Sequence, residues 1–335
     1  MPRRPVAALA MDAGTADAVL KPAARQRLGE LTELAGPVLT DFGTAEARHV
    51  LSTVELLVTG WGCPPLDAAV LARAPELRAV VHTAGSVRGH LTPACWARGI
   101  EVSTAAAANA VPVAEYTLAM ILLANKQVLP AARAYRQRRA RGDLLLTDPQ
   151  LGNHRNTVGI LSASLIGRRV IALLRAHELR VLLHDPYVDE AEAAALGAVG
   201  TGLTELFAAS DVVSVHTPLL PATRGLVSAE LLALLRDGST LINTARGAVV
   251  DQAALTEEVR GGRLRAVLDV TEPEVLPPDH PLWECENALI TPHLAGSQGN
   301  ELDRLAEAAL QEVRRWSAGE GFAHAVPPDR KELLA

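Results

Sequence analysis

Short apolar runs rich in Val, Ile and Leu alternate along the chain with longer stretches of helical periodicity. In the first hundred residues the runs are Val6–Met11, Leu56–Thr59, Ala79–Thr83 and Ile100–Ser103, with helix-like stretches such as Ala23–Leu34 and Leu66–Ala74 between them. Apolar strands that alternate with helices predict βα units and a parallel sheet. The rhythm resumes at Thr157–Leu161, Arg180–His184, Val212–Val215, Thr240–Asn243 and Arg265–Leu268 and ends at Leu289–Ile290, which predicts a second sheet of the same kind.

Between the two sets, the Ala-rich segment Ala105–Arg141 is periodic and predicts one long connecting helix, with Pro112 near its start, where a missing N–H is tolerated. Its end carries Arg133, Arg136, Arg138, Arg139 and Arg141, a solvated cluster suited to the negative pole of a helix dipole. After the last strand, Glu301–Ser317 predicts an amphipathic helix packed back on the first sheet.

Composition narrows the class. The length of 335 residues suggests two domains, and 49% apolar residues with only 3% aromatics means that Leu, Val, Ile and Ala fill the cores. A net charge of −6 lacks the basic footprint that nucleic acid requires. Cys63, Cys95 and Cys285 lie far apart and form no C-x-x-C, so neither a disulfide framework nor a thiolate metal site is expected, and a reducing cytoplasm fits. The N-terminal apolar run stops at Asp12, short for a secretory signal. The segment Tyr116–Asn125, bounded by Glu115 and Lys126, is shorter than the ~18 residues of a membrane span. A soluble protein without membrane contacts is therefore expected.

Thr157–Val170 reads as a strand, a tight turn and a helix, the context in which a G-x-G-x-x-G fingerprint binds a dinucleotide. Its key positions hold Ser162, Ser164 and Gly167, and Asp185 follows at the end of the next strand. A carboxylate there accepts from a ribose diol and repels a 2′-phosphate, favouring NAD over NADP. Serine at a turn position that needs positive φ costs about 1–2 kcal/mol, and the hydroxyls offset part of that if they donate to phosphate. Restoring glycine at both positions is accordingly expected to tighten NADH binding. Taken alone, the segment fits an ordinary turn that binds nothing equally well.

Three later segments each place polar residues just after an apolar strand, where open α/β sheets bind ligands. They present Arg246 followed by Gly247, which leaves room for a close ligand; Asp269, Glu272 and Glu274; and His293 after Thr291-Pro292. Singly, they fit a salt-bridge arginine, surface acids and a structural histidine. Together, in the order Arg, Glu, His, the set resembles the D-isomer-specific 2-hydroxyacid dehydrogenase family. Further family-like stretches are Asn109–Glu115, Asp211–Leu219 with Thr223–Leu226, and Asp279–Leu282. The segment from Asp269 to Pro277 is most like glyoxylate and hydroxypyruvate reductases, and it aligns Glu274, not Glu272, with the family's acid.

The resemblance implies an α/β fold of two parallel-sheet domains, a Rossmann-type NAD-binding domain (109–295) inserted in a flavodoxin-like substrate domain (1–108 and 296–335). It implies an NAD(H)-dependent oxidoreductase that interconverts a 2-keto acid and a D-2-hydroxy acid. Arg246 would clamp the substrate carboxylate, His293 would transfer the proton, and Glu274 would orient the imidazole and favour its charged form. Cofactor contacts would come from Ser164, Leu165, Ile166, Asp185, His216, Thr217, Pro218, Thr223, Thr244, Ala245, Asp269, His293 and Gly296. Backbone groups of Gly85, Ser86 and Val87 would meet the substrate carboxylate, although this loop lacks the family's additional glycine and Asp. Arg88 fits an added anion contact or a solvated loop residue, and Trp61 a pocket wall or packing. A homodimer through 105–141 is also implied. The same resemblance includes NAD(H)-sensing co-repressors, a non-catalytic alternative. Glu274 speaks against formate dehydrogenases, whose acid position is usually Gln, and the missing loop lysine speaks against phosphite oxidation. With about forty residues after His293, a phosphoglycerate dehydrogenase with a regulatory C-terminal domain is not expected, while the shorter type remains open.

Overall fold

The computed structural model describes residues 3–140 and 151–327, and its strands form two all-parallel sheets. The first contains β1 (Val6–Ala10), β2 (Glu33–Leu34), β3 (Leu56–Thr59), β4 (Ala79–His82) and β5 (Glu101–Thr104), in the order β2-β1-β3-β4-β5. The second contains β6 (Thr157–Leu161), β7 (Arg180–His184), β8 (Val199–Gly200), β9 (Val212–Val215), β10 (Thr240–Asn243), β11 (Arg265–Leu268) and β12 (Ala288–Ile290), in the order β12-β11-β10-β9-β6-β7-β8. The first order is flavodoxin-like, and the second is the Rossmann order with one strand added. In both, the chain builds outward on one side and then crosses to the other. The reversals fall between β1 and β3 and between β6 and β9, the positions at which open α/β sheets bind ligands beyond the carboxyl ends of their strands.

Contacts divide the chain into one unit of residues up to Ala110 and from Ser297 onward, and a second of Val111–Gly296, against the expected boundaries at 108/109 and 295/296. Within the first unit, the Asn109 side chain accepts from Ser297 N–H at 2.9 Å, joining its two chain segments. Most strand residues are apolar and buried because both faces of each sheet are covered. In the second sheet, Leu241 and Val213 enter one core with Phe207 and Leu255. Their neighbours Ile242 and Val212 enter the opposite core with Ile121, Val170 and Ile171, which is strand periodicity. One face of the first sheet receives Leu305, Ala309, Leu310 and Val313 from the helix Leu302–Ser317.

The structure corrects the connecting segment in three respects. The single helix expected over Ala105–Arg141 is two helices, Ala106–Asn125 and Val128–Arg138, separated at Gln127 with φ +47°. Pro130 explains the break: it has no N–H for a helical bond to residue 126, and its ring would clash there. Pro112 lies inside the first helix rather than near its start. The apolar run is also longer than expected, since the 20-residue helix Ala106–Asn125 meets the length and apolarity of a membrane span. It contains Glu115, however, and Ala110, Val113, Ala114, Thr117 and Ile121 are buried within the protein. Arg141 lies outside the described residues. The two-residue strands β2 and β8 also escape a sequence reading, being too short to show a period.

Three buried histidines brace the strand ends. Thr59 Oγ1, at the end of β3, lies 2.9 Å from His82 Nδ1 and 3.2 Å from His90 Nε2. A hydroxyl has one proton and two lone pairs, so Thr59 can serve both rings at once, which ties both ends of the 82–90 loop to β3. Burial pushes His82 down to about 3, helped by the neighbouring His90 and opposed by a backbone hydrogen bond at Ser86. Burial likewise lowers His90 to about 4, and His216, beyond β9, to about 3. All three are neutral when folded, whereas in the unfolded chain they take up protons near pH 6.5. Their contribution to stability is therefore complete above pH 6.5 and is lost progressively as pH falls toward the folded values, by up to about 1.4 kcal/mol per pH unit for each histidine. Urea midpoints should hold steady from pH 8 to 7 and fall between pH 6.5 and 5, where most surface carboxylates stay charged; a flat profile across that window contradicts the assignment.

Candidate functional site

In the second unit the reversal between β6 and β9 places Ser162 and His216 at adjacent strand ends. Ser162 has φ +81°, so the turn does require the left-handed conformation that costs a serine about 1–2 kcal/mol. Its hydroxyl donates to Asp185 Oδ2 at 3.1 Å, and Ala163 N–H donates to the same oxygen at 2.8 Å. Ser164 caps the helix Leu165–Leu174, accepting from Gly167 N–H at 3.3 Å. Gly167 cannot carry a side chain, because a Cβ would lie 2.0 Å from the Ser162 carbonyl oxygen. Both serines thus have structural partners. Glycine at both positions, expected from the sequence to tighten NADH binding, would also remove the Ser162 hydroxyl contact to Asp185 and the cap.

The second cluster is built on β10, β11 and the loop after β12. Arg246 follows β10, and its Nη1 donates to the Ala245 carbonyl at 2.6 Å. The Asn243 side chain locks this turn, accepting from Ala245 N–H at 3.0 Å and donating to the Arg246 carbonyl at 2.9 Å. Gly247 has a different purpose from the one its sequence suggests. A Cβ would sit 2.1 Å from the Thr271 carbonyl carbon and 2.7 Å from Glu272 N, so the glycine admits the neighbouring backbone. Asp269, at the end of β11, is buried, and its carboxylate accepts from Thr291 Oγ1 at 2.7 Å, Leu294 N–H at 2.8 Å and Ala295 N–H at 2.9 Å. Between these anchors His293 takes φ +52°, and its Nδ1 lies 2.5 Å from Glu274 Oε1. The imidazole is 48% exposed and the carboxylate 55%, so the pair is held from below and open above.

The remaining predicted residues hold the loops around these points. Leu165 and Ile166 form the first turn of the capped helix, where N–H groups have no helical acceptor. Thr217 donates to the Leu161 carbonyl at 3.4 Å. Thr223 donates to the Pro218 carbonyl at 2.6 Å and accepts from Leu220 N–H at 2.8 Å. Thr244 is buried 3.2 Å from Thr117, Ala245 is buried, and Gly296 is half-buried at the unit's end. In the first unit, Gly85 and Ser86 are half-buried, the Val87 side chain is core, Arg88 is exposed and Trp61 is 44% exposed. Sequence reasoning missed the support residues Asn243, Thr291 and Tyr116, whose hydroxyl lies 3.0 Å from that of Thr291. Asn243 and Thr291 were within reach, since each is polar and stands next to a strand end.

A dinucleotide fits this site. The first turn of a capped helix offers N–H groups to phosphate, and a Cβ at Gly167 would fill the tight turn beneath it. Among the described residues, His216 Nδ1 is buried without a hydrogen-bond partner. Residues 118–295 match the family model for the NAD binding domain of D-isomer specific 2-hydroxyacid dehydrogenases. The chain belongs to that family. D-3-phosphoglycerate dehydrogenase of Mycobacterium tuberculosis is 36% identical over 264 residues, 78% of this chain and 49% of that protein. This chain therefore spans about half the length of those curated relatives. Glyoxylate reductase of Aeropyrum pernix is 32% identical over 272 residues, 79% of each. Among solved structures, D-lactate dehydrogenase from Aquifex aeolicus, complexed with NAD and lactic acid, is 25% identical with a TM-score of 0.73, covering 96% of this chain and all of that one. The cofactor of this family member is NAD(H), held by the domain that the match delimits.

Gly247→Ala should force the Thr271–Glu272 backbone away and cost about 1–3 kcal/mol, as overpacking does. Thermal melts should show the loss, and an unchanged melting temperature would mean that the close approach is not needed.

Proposed function

We propose that the protein interconverts a 2-keto acid and a D-2-hydroxy acid with NAD(H), and that Arg246, Glu274 and His293 carry the reaction. The observation that supports this most directly is the His293–Glu274 pair at 2.5 Å, presented to solvent on a loop anchored by a buried carboxylate. A purely structural histidine has no need of that exposure, and a nucleotide-sensing scaffold has no need of the pair.

Bound NAD(H) supplies or accepts the hydride; the chain's own residues do the rest. Arg246 offers a planar cation to the substrate carboxylate and the keto oxygen, its fork oriented through Nη1 on the Ala245 carbonyl. With Nδ1 engaged by Glu274, His293 has Nε2 as the atom that gives a proton to the new alkoxide in reduction and takes it back in oxidation. Backbone groups of Gly85, Ser86 and Val87 are assigned to the substrate carboxylate. Ser164, Leu165 and Ile166 are assigned to the pyrophosphate and Asp185 to the adenosine ribose, with His216, Thr217, Pro218 and Thr223 on the adenosine side. Thr244, Ala245, Asp269 and Gly296 are assigned to the nicotinamide side.

We assign the oligomeric state as a homodimer through the helices of residues 105–141. The helix Val128–Arg138 has no buried residue and exposes Val128, Leu129 and Tyr135, an apolar surface that a second copy would cover. The three free cysteines fit a reducing, cytoplasmic setting.

His293→Ala should lower keto-acid reduction by about 10²–10⁴-fold while leaving the NADH dissociation constant nearly unchanged, and Arg246→Lys should chiefly impair kcat/KM for the keto acid. Steady-state assays with glyoxylate, hydroxypyruvate and larger 2-keto acids, beside NADH titrations, check both. No turnover of any keto acid by folded, NADH-binding wild type would refute the reading. Sedimentation should show a dimer for the wild type and a monomer for Leu129→Asp.

A further inference from the structure

The turn between β6 and the helix Leu165–Leu174 is tied to Asp185 by a bond that glycine could not make. Asp185 Oδ2 accepts the Ser162 hydroxyl at 3.1 Å and Ala163 N–H at 2.8 Å, while Oδ1 accepts Tyr187 N–H at 2.9 Å. The carboxylate is therefore gripped on one oxygen by the neighbouring strand's turn and on the other by its own loop. Ser162 N–H also donates to the carbonyl of His184, the residue before Asp185, at 2.8 Å. The ends of β6 and β7 are laced by the same serine. Gly167 packs directly on the Ser162 carbonyl, so the helix start is referenced to this residue as well.

We propose that Ser162 is a positioning residue for cofactor selectivity: its hydroxyl fixes the Asp185 carboxylate and thereby sets the preference for NADH over NADPH. The inference rests on reading Asp185 as the partner of the adenosine ribose. A ribose diol donates best to a carboxylate already held in place, because the cost of ordering the side chain was met on folding. A 2′-phosphate is excluded for the same reason: a loosely held aspartate can rotate away from the second anion, whereas one gripped on both oxygens cannot. The hydroxyl has a single proton and that proton is engaged by Asp185, so Ser162 acts through the aspartate and not by donating to the pyrophosphate. At a position that otherwise favours glycine, with φ +81°, the side chain is kept for what it holds.

The test is calorimetric titration of NADH and NADPH into wild type, Ser162→Ala, Asp185→Ala and the double variant. Ser162→Ala keeps the Cβ and removes only the hydroxyl. It should weaken NADH about three- to tenfold, less than the full value of one hydrogen bond to a charged group because the Ala163 and Tyr187 amides still hold Asp185, and narrow the NADH to NADPH ratio by a similar factor. On the Asp185→Ala background the same change should do nothing further. Unchanged NADH affinity in Ser162→Ala overturns the proposal, and so does an equal loss on both backgrounds, which would mean direct contact with the cofactor. If Asp185→Ala itself binds NADH as wild type does, the reading of Asp185 fails and the proposal with it. Should Ser162→Ala not fold, Ser162→Gly lacks the hydroxyl without the backbone strain and carries the same expectation.

Discussion

The catalytic side of the second unit depends on where the Asp269 carboxylate puts its charge. It is buried at the end of β11 and accepts one hydroxyl and two amide protons from the segment after β12. A buried carboxylate is costly unless several donors meet it, and here every donor comes from the segment that carries His293. The same contacts that satisfy the charge thus fix the loop and support a histidine with positive φ. On that fixed backbone the imidazole meets Glu274, which lies in the loop after β11.

Close backbone approach is the second constraint. Glu274 reaches its place because the Thr271–Glu272 peptide lies against Gly247, and the helix over the nucleotide turn reaches its place because Gly167 lies against Ser162. In both cases the glycine serves chain-to-chain packing, and the ligand-facing geometry follows from it. Arg246, beside Gly247, is therefore fixed by contact with a second segment, and the helix start, beside Gly167, by contact with its own turn.

The fold was legible because both sheets are covered on both faces, so their strands read as unbroken apolar runs that end within a residue or so of where the structure ends them. The connecting helix was misread because its periodicity persists across Pro130, whose effect depends on a backbone bond that side-chain patterns do not register. At the site, residue types suggested the chemistry now proposed for Arg246, Glu274 and His293, yet the contacts of Gly247 and Ser162 depended on Thr271–Glu272 and Asp185, more than twenty residues on in the chain. Nothing local to Ser162 says that its hydroxyl will meet a residue at the end of the next strand. Likeness to known proteins fixes the family and the cofactor but leaves the substrate open.

The histidines show how one residue type is sorted by environment. His82, His90 and His216 are buried, and desolvation keeps them uncharged, so they act as shaped hydrogen-bonding units at strand ends. His293 is placed under the opposite conditions, half exposed and paired with a carboxylate. In the first unit the dry imidazoles of His82 and His90 hold the ends of the 82–90 loop, and in the second the wet one is the residue we propose for proton transfer. Acid therefore acts on the buried pair chiefly through the unfolded chain, which takes up protons near pH 6.5, well above the folded values of about 3 for His82 and about 4 for His90.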